Sequence, residues 1–146
     1  MALLSLTTNT ETTQIVRVTE ALFNLRPGYT HLSNFQDYSS TNGIAGFANA
    51  LANLPGFQAK SDYDLALLVA NNLGMSGGAH TGAVDFLAGL FAVDANTALR
   101  GAHILNFVNW VAGIVDTTNV FYPTTTKLNA DVTASVEYSS VSTNIA

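Results

Sequence analysis

Apolar residues recur at helical spacing along most of the chain, and this spacing limits the fold more than any other sequence feature. The first such segment covers residues 12–25 and ends at Pro27 and Gly28, which block a helix and favour a turn. Its single apolar face consists of Ile15, Val18, Leu22 and Leu25. Helical periodicity outweighs strand alternation, so we predict an all-α fold.

Further helices are predicted at about residues 30–40, 43–54, 61–73, 81–91 and 95–115. The last is the longest, with Asp94 as its N-cap, and its two adjacent apolar stripes predict that it is central. The 81–91 helix is apolar nearly all round, which predicts burial on more than one side. We expect a single compact domain of about six to seven helices, over residues 12–146, preceded by a flexible arm, residues 1–11.

The C-terminal segment, residues 127–146, fits two structures. Leu128, Val132 and Val136 have helical spacing, whereas Val132, Val136 and Tyr138 belong to an alternation typical of a strand. We favour a helix over residues 127–140, and a strand would offer an edge for pairing with another chain. The segment is expected to be docked on its own domain or swapped with a neighbour.

Composition excludes several classes of protein. The chain has 146 residues, a net charge of -5 and five scattered basic residues, which argues against binding to nucleic acid. It has no cysteine, so it is not a disulfide-stapled mini-protein. Its apolar runs are too short to span a bilayer. Only 10% of the residues are charged, and a surface with so few charges favours contact with other protein.

No catalytic mechanism can be read from the sequence. His31, His80 and His103 are far apart, and His103 lies in an apolar stripe typical of a buried histidine. Ser76 follows a helix rather than the strand that a serine elbow requires, so residues 76–79 are interpreted as a flexible glycine-rich connection. Trp110, with the neighbouring Phe107, is interpreted as core. We expect a protein that is not an enzyme.

Two carboxylates are the weak candidates for a metal site. Asp62 and Asp64 could offer oxygen ligands to Ca²⁺, but acidic residues at the start of a helix more often serve as dipole partners. Ser61 precedes them as the expected N-cap. We therefore expect no cofactor, with calcium the one ion to consider.

Seven short blocks along the chain carry a family resemblance. They are Leu22-Phe23-Asn24-Leu25, Pro27-Gly28-Tyr29, Phe47-Ala48-Asn49-Ala50-Leu51, Val69-Ala70-Asn71-Asn72-Leu73-Gly74, Phe86-Leu87, Asn106-Phe107-Val108-Asn109 and the closing stretch 127–139. Together they resemble the all-helical N-terminal domain of proteobacterial S-layer and RTX-type surface proteins, from about residue 12 to residue 142. The resemblance implies export by a type I pathway without an N-terminal signal, hence an extracellular protein. The calcium-binding Gly-Gly-x-Gly-x-Asp repeats that often follow this domain do not occur here.

These observations predict an extracellular structural protein that assembles with copies of itself into a filament, tube or surface layer. The alternative is a surface-anchoring or binding module that holds a glycan or lipid between the central helix and the glycine-rich connection. Assembly contacts are predicted in the two terminal segments, which are apolar or β-branched. The predicted contact residues are Leu3, Leu4, Leu6, Val132, Val136, Tyr138 and Val141.

Overall fold

Eight α-helices and one 3₁₀ turn follow each other in the parts of the chain that the computed structural model describes, residues 10–25, 27–94, 96–139 and 141. No strand occurs in these residues, so the all-α prediction is confirmed. The elements are α1 (Glu11–Phe23), α2 (Tyr29–Asn42), α3 (Ile44–Ala52), α4 (Pro55–Gln58), α5 (Asp62–Asn72), α6 (Gly77–Val93), the 3₁₀ turn (Thr97–Leu99), α7 (Arg100–Ala112) and α8 (Tyr122–Ser139).

Helix α1 is the most enclosed element of the bundle. Every residue from Ile15 to Leu22 is buried, although only part of this run is apolar. The reason is that α1 contacts α2, α3, α5, α7 and α8, which together surround it. Helix α7 also has a central position, since it packs against α1, α3, α6 and α8. The core is therefore built around two helices rather than around α7 alone.

The predicted start of the central helix is wrong. Asp94 follows α6 as its C-terminal cap, and its backbone N–H donates to the Leu90 carbonyl. Asn96 is the residue that caps, because its side chain accepts a 3.1 Å hydrogen bond from the Ala98 N–H at the 3₁₀ turn. The α-helical part begins only at Arg100. The predicted helix over residues 95–115 is thus shortened at both ends.

The glycine-rich segment is not the flexible connection that the sequence suggested. Gly77 and Gly78 form the first turn of α6, which therefore starts four residues earlier than predicted. Gly74, at φ +73°, ends the preceding helix, and the Met75 N–H donates to the Ala70 carbonyl. This left-handed cap reverses the chain within a few residues, so α5 and α6 form a tight antiparallel pair.

Two other local predictions are settled. The Ser61 hydroxyl accepts a 3.1 Å hydrogen bond from the Asp64 N–H, so the predicted cap of α5 is confirmed. The C-terminal segment is helical up to Ser139, which excludes the strand for these residues. The Ser139 hydroxyl donates a hydrogen bond to the Pro27 carbonyl, and the Asn129 side chain donates one to the Ala112 carbonyl at 3.1 Å. These bonds dock α8 on its own domain.

Helices α3 and α7 approach each other closely at Gly101. A Cβ atom on this residue would lie 2.0 Å from the carbonyl oxygen of Ala48 in α3. The adjacent Ala102 N–H donates a 2.7 Å hydrogen bond to the Asn49 side chain, so α3 provides a polar partner for the first turn of α7. Only glycine leaves room for this contact.

Gly101→Ala tests this contact. Because backbone atoms of α3 would have to move, we expect the free energy of unfolding to fall by about 3 kcal/mol. Gly89→Ala is the matched control, since a Cβ there meets nothing within 4 Å, and it should raise stability by roughly 0.5–1 kcal/mol. Urea unfolding of both variants measures the difference, and equal stabilities would contradict the close approach.

Candidate functional site: an aromatic groove between two helices

An open groove of about 580 Å³ lies between α6 and α7. Phe121, from the segment just before α8, closes one side of it. Its wall combines buried and accessible rings, because Phe107 is 3% exposed whereas Phe86 and Trp110 are 53% and 51% exposed. The lining residues are Gly82, Phe86, Leu90, Asn106, Phe107, Trp110 and Phe121.

The groove exists because the apolar surface of α6 is wider than the part that its neighbours cover. Helix α6 packs against both α5 and α7, and its residues Val84, Leu87 and Phe91 are buried. Phe86 and Leu90 lie one helical turn apart at the edge of this buried surface, where Phe86 is 53% exposed and Leu90 is partly exposed. The predicted burial on more than one side is therefore found for Val84, Leu87 and Phe91 but not for Phe86. Apolar periodicity shows which faces are hydrophobic but not which faces find a partner.

The aromatic rings of the groove support one another. The Trp110 and Phe121 rings are 5.4 Å apart at 76°, and the Phe107 and Phe121 rings are 6.3 Å apart at 88°. Both are edge-to-face arrangements, which are favourable for aromatic pairs. Phe86 adds a tilted contact with Phe107 at 5.9 Å. The interpretation of Trp110 as core is wrong, and the ring instead presents a half-exposed surface held at a fixed angle.

The groove lining carries no charged side chain, and Asn106 supplies its one polar side chain. Such a surface suits an apolar partner, because no ion must lose its hydration shell when the groove is covered. None of the lining residues is a nucleophile or an acid–base group at neutral pH. The arrangement can bind, but it offers no group for proton transfer or covalent catalysis.

The residues considered for catalysis lie apart from the groove lining and from each other. The His80 Nε2 atom lies 2.8 Å from the Asn71 side-chain oxygen, and the His103 Nε2 atom lies 3.2 Å from a carboxylate oxygen of Asp94. His103 is partly exposed, so the expected core histidine is only half correct. Ser76 lies at the N-terminus of α6, exposed to solvent.

The weak calcium candidates have other partners. Asp62 forms an ion pair with Arg100 at 3.4 Å, and Asp64 lies at the capped start of α5. Within the described ranges, no three His, Cys, Asp or Glu residues come together as a metal site would require. In this part of the chain, Asp62 and Asp64 therefore belong to no cluster of three such side chains.

Arg100 is a buried cation that sequence reasoning missed. Its guanidinium donates to the carbonyls of Phe57, Gln58 and Lys60, at 3.1, 3.3 and 2.9 Å, and lies 5.8 Å from the centre of the Phe91 ring. It thereby ties the α4–α5 connection to the start of α7. The basic residues are too scattered along the sequence to predict a charged patch, and no feature of the local sequence distinguishes Arg100.

Arg17 is the second buried cation, in α1. It donates a 3.0 Å hydrogen bond to the Asn109 side chain, which in turn donates to Gln14 at 2.9 Å. Loss of hydration on burial lowers the pKa of Arg17 to about 10, so the group stays charged at neutral pH. Its place within the apolar run from Ile15 to Val18 was the signal that could have revealed it.

One acidic group has a shifted pKa outside the groove. The hydroxyl and backbone N–H of Thr118 donate to the Asp116 carboxylate at 2.7 and 2.9 Å. These hydrogen bonds lower the pKa of Asp116, which lies at the surface between α7 and α8. The carboxylate fixes a turn and contributes nothing to the groove lining.

The predicted assembly residues differ in their burial. Leu3, Leu4 and Leu6 lie outside the described residues. Val132 is 1% exposed in the core, so its prediction as an assembly contact is wrong for the folded domain. Val136 packs against the core, Tyr138 is half-buried and Val141 is exposed.

A second cavity, of about 150 Å³, lies at the glycine-rich segment. Gly74, Ser76 and Gly78 line it together with residues of the α8 start, such as Lys127. It does not touch α7, and the aromatic groove, which does, is lined by none of residues 76–79, so neither of the two is the predicted pocket between the central helix and the glycine-rich connection.

Comparison of the chain with protein-family models, with curated proteins and with solved structures gives no significant match. The resemblance to surface-layer proteins thus stays a prediction from sequence. Among the described residues, no helix is long and apolar enough to cross a membrane.

The buried and the accessible rings of the groove should contribute differently to the stability of the domain. Phe107→Ala removes a buried ring and should lower the free energy of unfolding by about 3 kcal/mol. Trp110→Ala removes a half-exposed ring and should cost about 1 kcal/mol. Thermal or urea unfolding measures both, and an equally large loss for Trp110→Ala would show that Trp110 belongs to the core.

Arg100→Lys tests the buried cation. An ammonium group cannot reach three carbonyls and a carboxylate in the geometry of the guanidinium, so we expect a loss of about 2 kcal/mol in stability. Lys127→Arg is the control, because Lys127 is an exposed cation paired with Asp131 at 2.6 Å, and its exchange should change stability by less than about 0.5 kcal/mol. Urea unfolding measures the difference. If the Arg100→Lys variant has the same free energy of unfolding as the wild type, Arg100 does not have the proposed structural role.

Proposed function

We propose that this chain is a non-catalytic structural protein that assembles with copies of itself, using the aromatic groove as a contact surface. The observation that carries the proposal is a contiguous groove of accessible aromatic and aliphatic side chains, Phe86, Leu90 and Trp110 among them. Exposed apolar patches of this kind mark interaction sites in proteins. The low charge of the chain supports the same conclusion, since little repulsion opposes contact between copies.

The shape of the groove favours open assemblies. A concave surface is complemented by a projecting segment, not by a second copy of the same groove. The contact is therefore heterologous, with different surfaces on the two partners, and heterologous contacts produce rings or open chains. This supports the filament, tube or layer predicted from the sequence.

The strength of one such contact is modest. Full burial of a side chain such as Phe86 contributes about 1.5–3 kcal/mol, and association costs about 4–15 kcal/mol in lost motion. A groove with three accessible side chains thus gives a weak single contact. The assembly is therefore expected only at protein concentrations high enough to populate this single weak contact.

The proposed location is extracellular, and it rests on the resemblance to type I secreted surface proteins. A cell-surface layer is the assembly that this location favours.

A second candidate function is binding of an apolar small ligand, such as a lipid chain. The observation that favours it is the groove volume of about 580 Å³, which lies in the range of roughly 300–1,000 Å³ typical of ligand sites. This function requires a stable monomer that binds the ligand saturably, whereas assembly requires a mass that rises with protein concentration.

The test compares the wild type with the double variant Phe86→Gln/Leu90→Gln. We expect the wild type to form ordered particles in negative-stain microscopy and to show a concentration-dependent mass in sedimentation. The double variant should remain monomeric at the same concentrations, because glutamine side chains keep the groove hydrated. Tyr63→Gln is the control, since Tyr63 is exposed on α5 and does not line the groove, and it should assemble normally. A wild type that stays monomeric at every concentration would contradict the proposal.

A further inference from the structure

We propose that the occupant of the aromatic groove is the N-terminal segment, residues 1–9, of a second copy of the chain. This inference rests on the proposed self-assembly and names its contact. The segment contains Leu3, Leu4 and Leu6 and no charged side chain, the first of which is Glu11. The groove lining is likewise uncharged. The two surfaces can therefore be joined without removing a charged side chain from water.

The spacing of the leucines matches the groove. In an extended segment Leu4 and Leu6 lie on the same side, about 6.6 Å apart. Phe86 and Leu90 are one helical turn apart on α6, about 6 Å along its axis. Two leucines of the segment can thus lie beside these two side chains, with Trp110 on the opposite wall of the groove.

The start of α1 packs against the helix that lines the groove. Thr10, which directly follows the segment, is the N-cap of α1. One turn later, Gln14 accepts a 2.9 Å hydrogen bond from Asn109, the residue before Trp110 on α7. Consecutive residues of a helix differ by about 100° round its axis, so α7 turns Asn109 toward α1 and Trp110 toward the groove.

This position makes the segment able to link molecules. Nine residues span up to about 30 Å when extended, enough to reach the groove of an adjacent molecule. The same length also reaches the groove of its own chain, but only the exchange between molecules produces the assembly proposed above. Each molecule then offers one segment and one groove, which is the heterologous contact that builds an open chain.

The chain carries its own probe for this contact. Trp110 is the only tryptophan and lines the groove, so its emission shifts to shorter wavelength when an apolar segment covers it. The segment variant Leu3→Asn/Leu4→Asn/Leu6→Asn, in the full-length chain, should stay monomeric with red-shifted emission. The matched control Ser5→Asn/Thr7→Asn/Thr8→Asn keeps the leucines and should behave as the wild type.

A synthetic peptide of residues 1–9 provides the direct binding test. Added to the segment variant, it should restore the blue shift saturably, and the peptide with the three asparagines should bind roughly tenfold more weakly or worse. The double variant Phe86→Gln/Leu90→Gln retains Trp110 and should give no shift. A mixture of segment variant and groove variant has one functional segment and one functional groove, so it should form particles of two chains and no larger.

The outcomes separate this inference from the proposed function. Normal assembly of the segment variant would overturn the inference and leave self-assembly standing. A monomeric wild type whose Trp110 emission responds to the leucine substitutions at every concentration would show the segment in its own groove and overturn both. A monomeric wild type with unchanged emission would also overturn both, and saturable binding of a lipid chain would then identify the groove as a ligand site.

Discussion

The close contact of α7 with α3 at Gly101 is the constraint on which the arrangement of the other elements depends. The Ala48 carbonyl occupies the space of a side chain, and the Asn49 amide fixes the first turn of α7 by a hydrogen bond. Trp110 follows Gly101 by nine residues, which is two and a half turns, so it lies on the opposite face of the helix. Pinning one face of α7 against α3 therefore presents the other face at the aromatic groove.

Buried cations strengthen the same framework. Arg100 connects the start of α7 to the α4–α5 carbonyls, and Arg17 connects α1 to Asn109 in the middle of α7. Both guanidinium groups are almost completely enclosed, where their donors need fixed acceptors. Hydrogen bonds to these acceptors offset the cost of burying the two charges, and they form only in one arrangement of the helices. The buried cations therefore add directional contacts to the less directional packing of the apolar core.

Much of the fold follows from local sequence, but the groove does not. The Ser61 cap and the apolar faces of most helices were predictable because they depend on residues within one or two turns. Gly77 and Gly78 were misread because their low helix propensity is overridden by tertiary packing of α6. The groove could not be predicted, since the spacing of Phe86, Leu90 and Trp110 is the same whether a neighbouring helix covers them or solvent does. Val132 was misassigned to an interface for the same reason.

The central claim is that the aromatic groove is covered when copies of the chain assemble. Acrylamide quenching of Trp110 measures this directly, because the chain has one tryptophan and it lines the groove. The measurement compares a dilute monomeric sample with the assembled fraction of the same preparation. We predict that Trp110 is quenched readily in the monomer and is strongly protected in the assembly. Equal quenching in the two states would contradict the claim and place the contact on another surface.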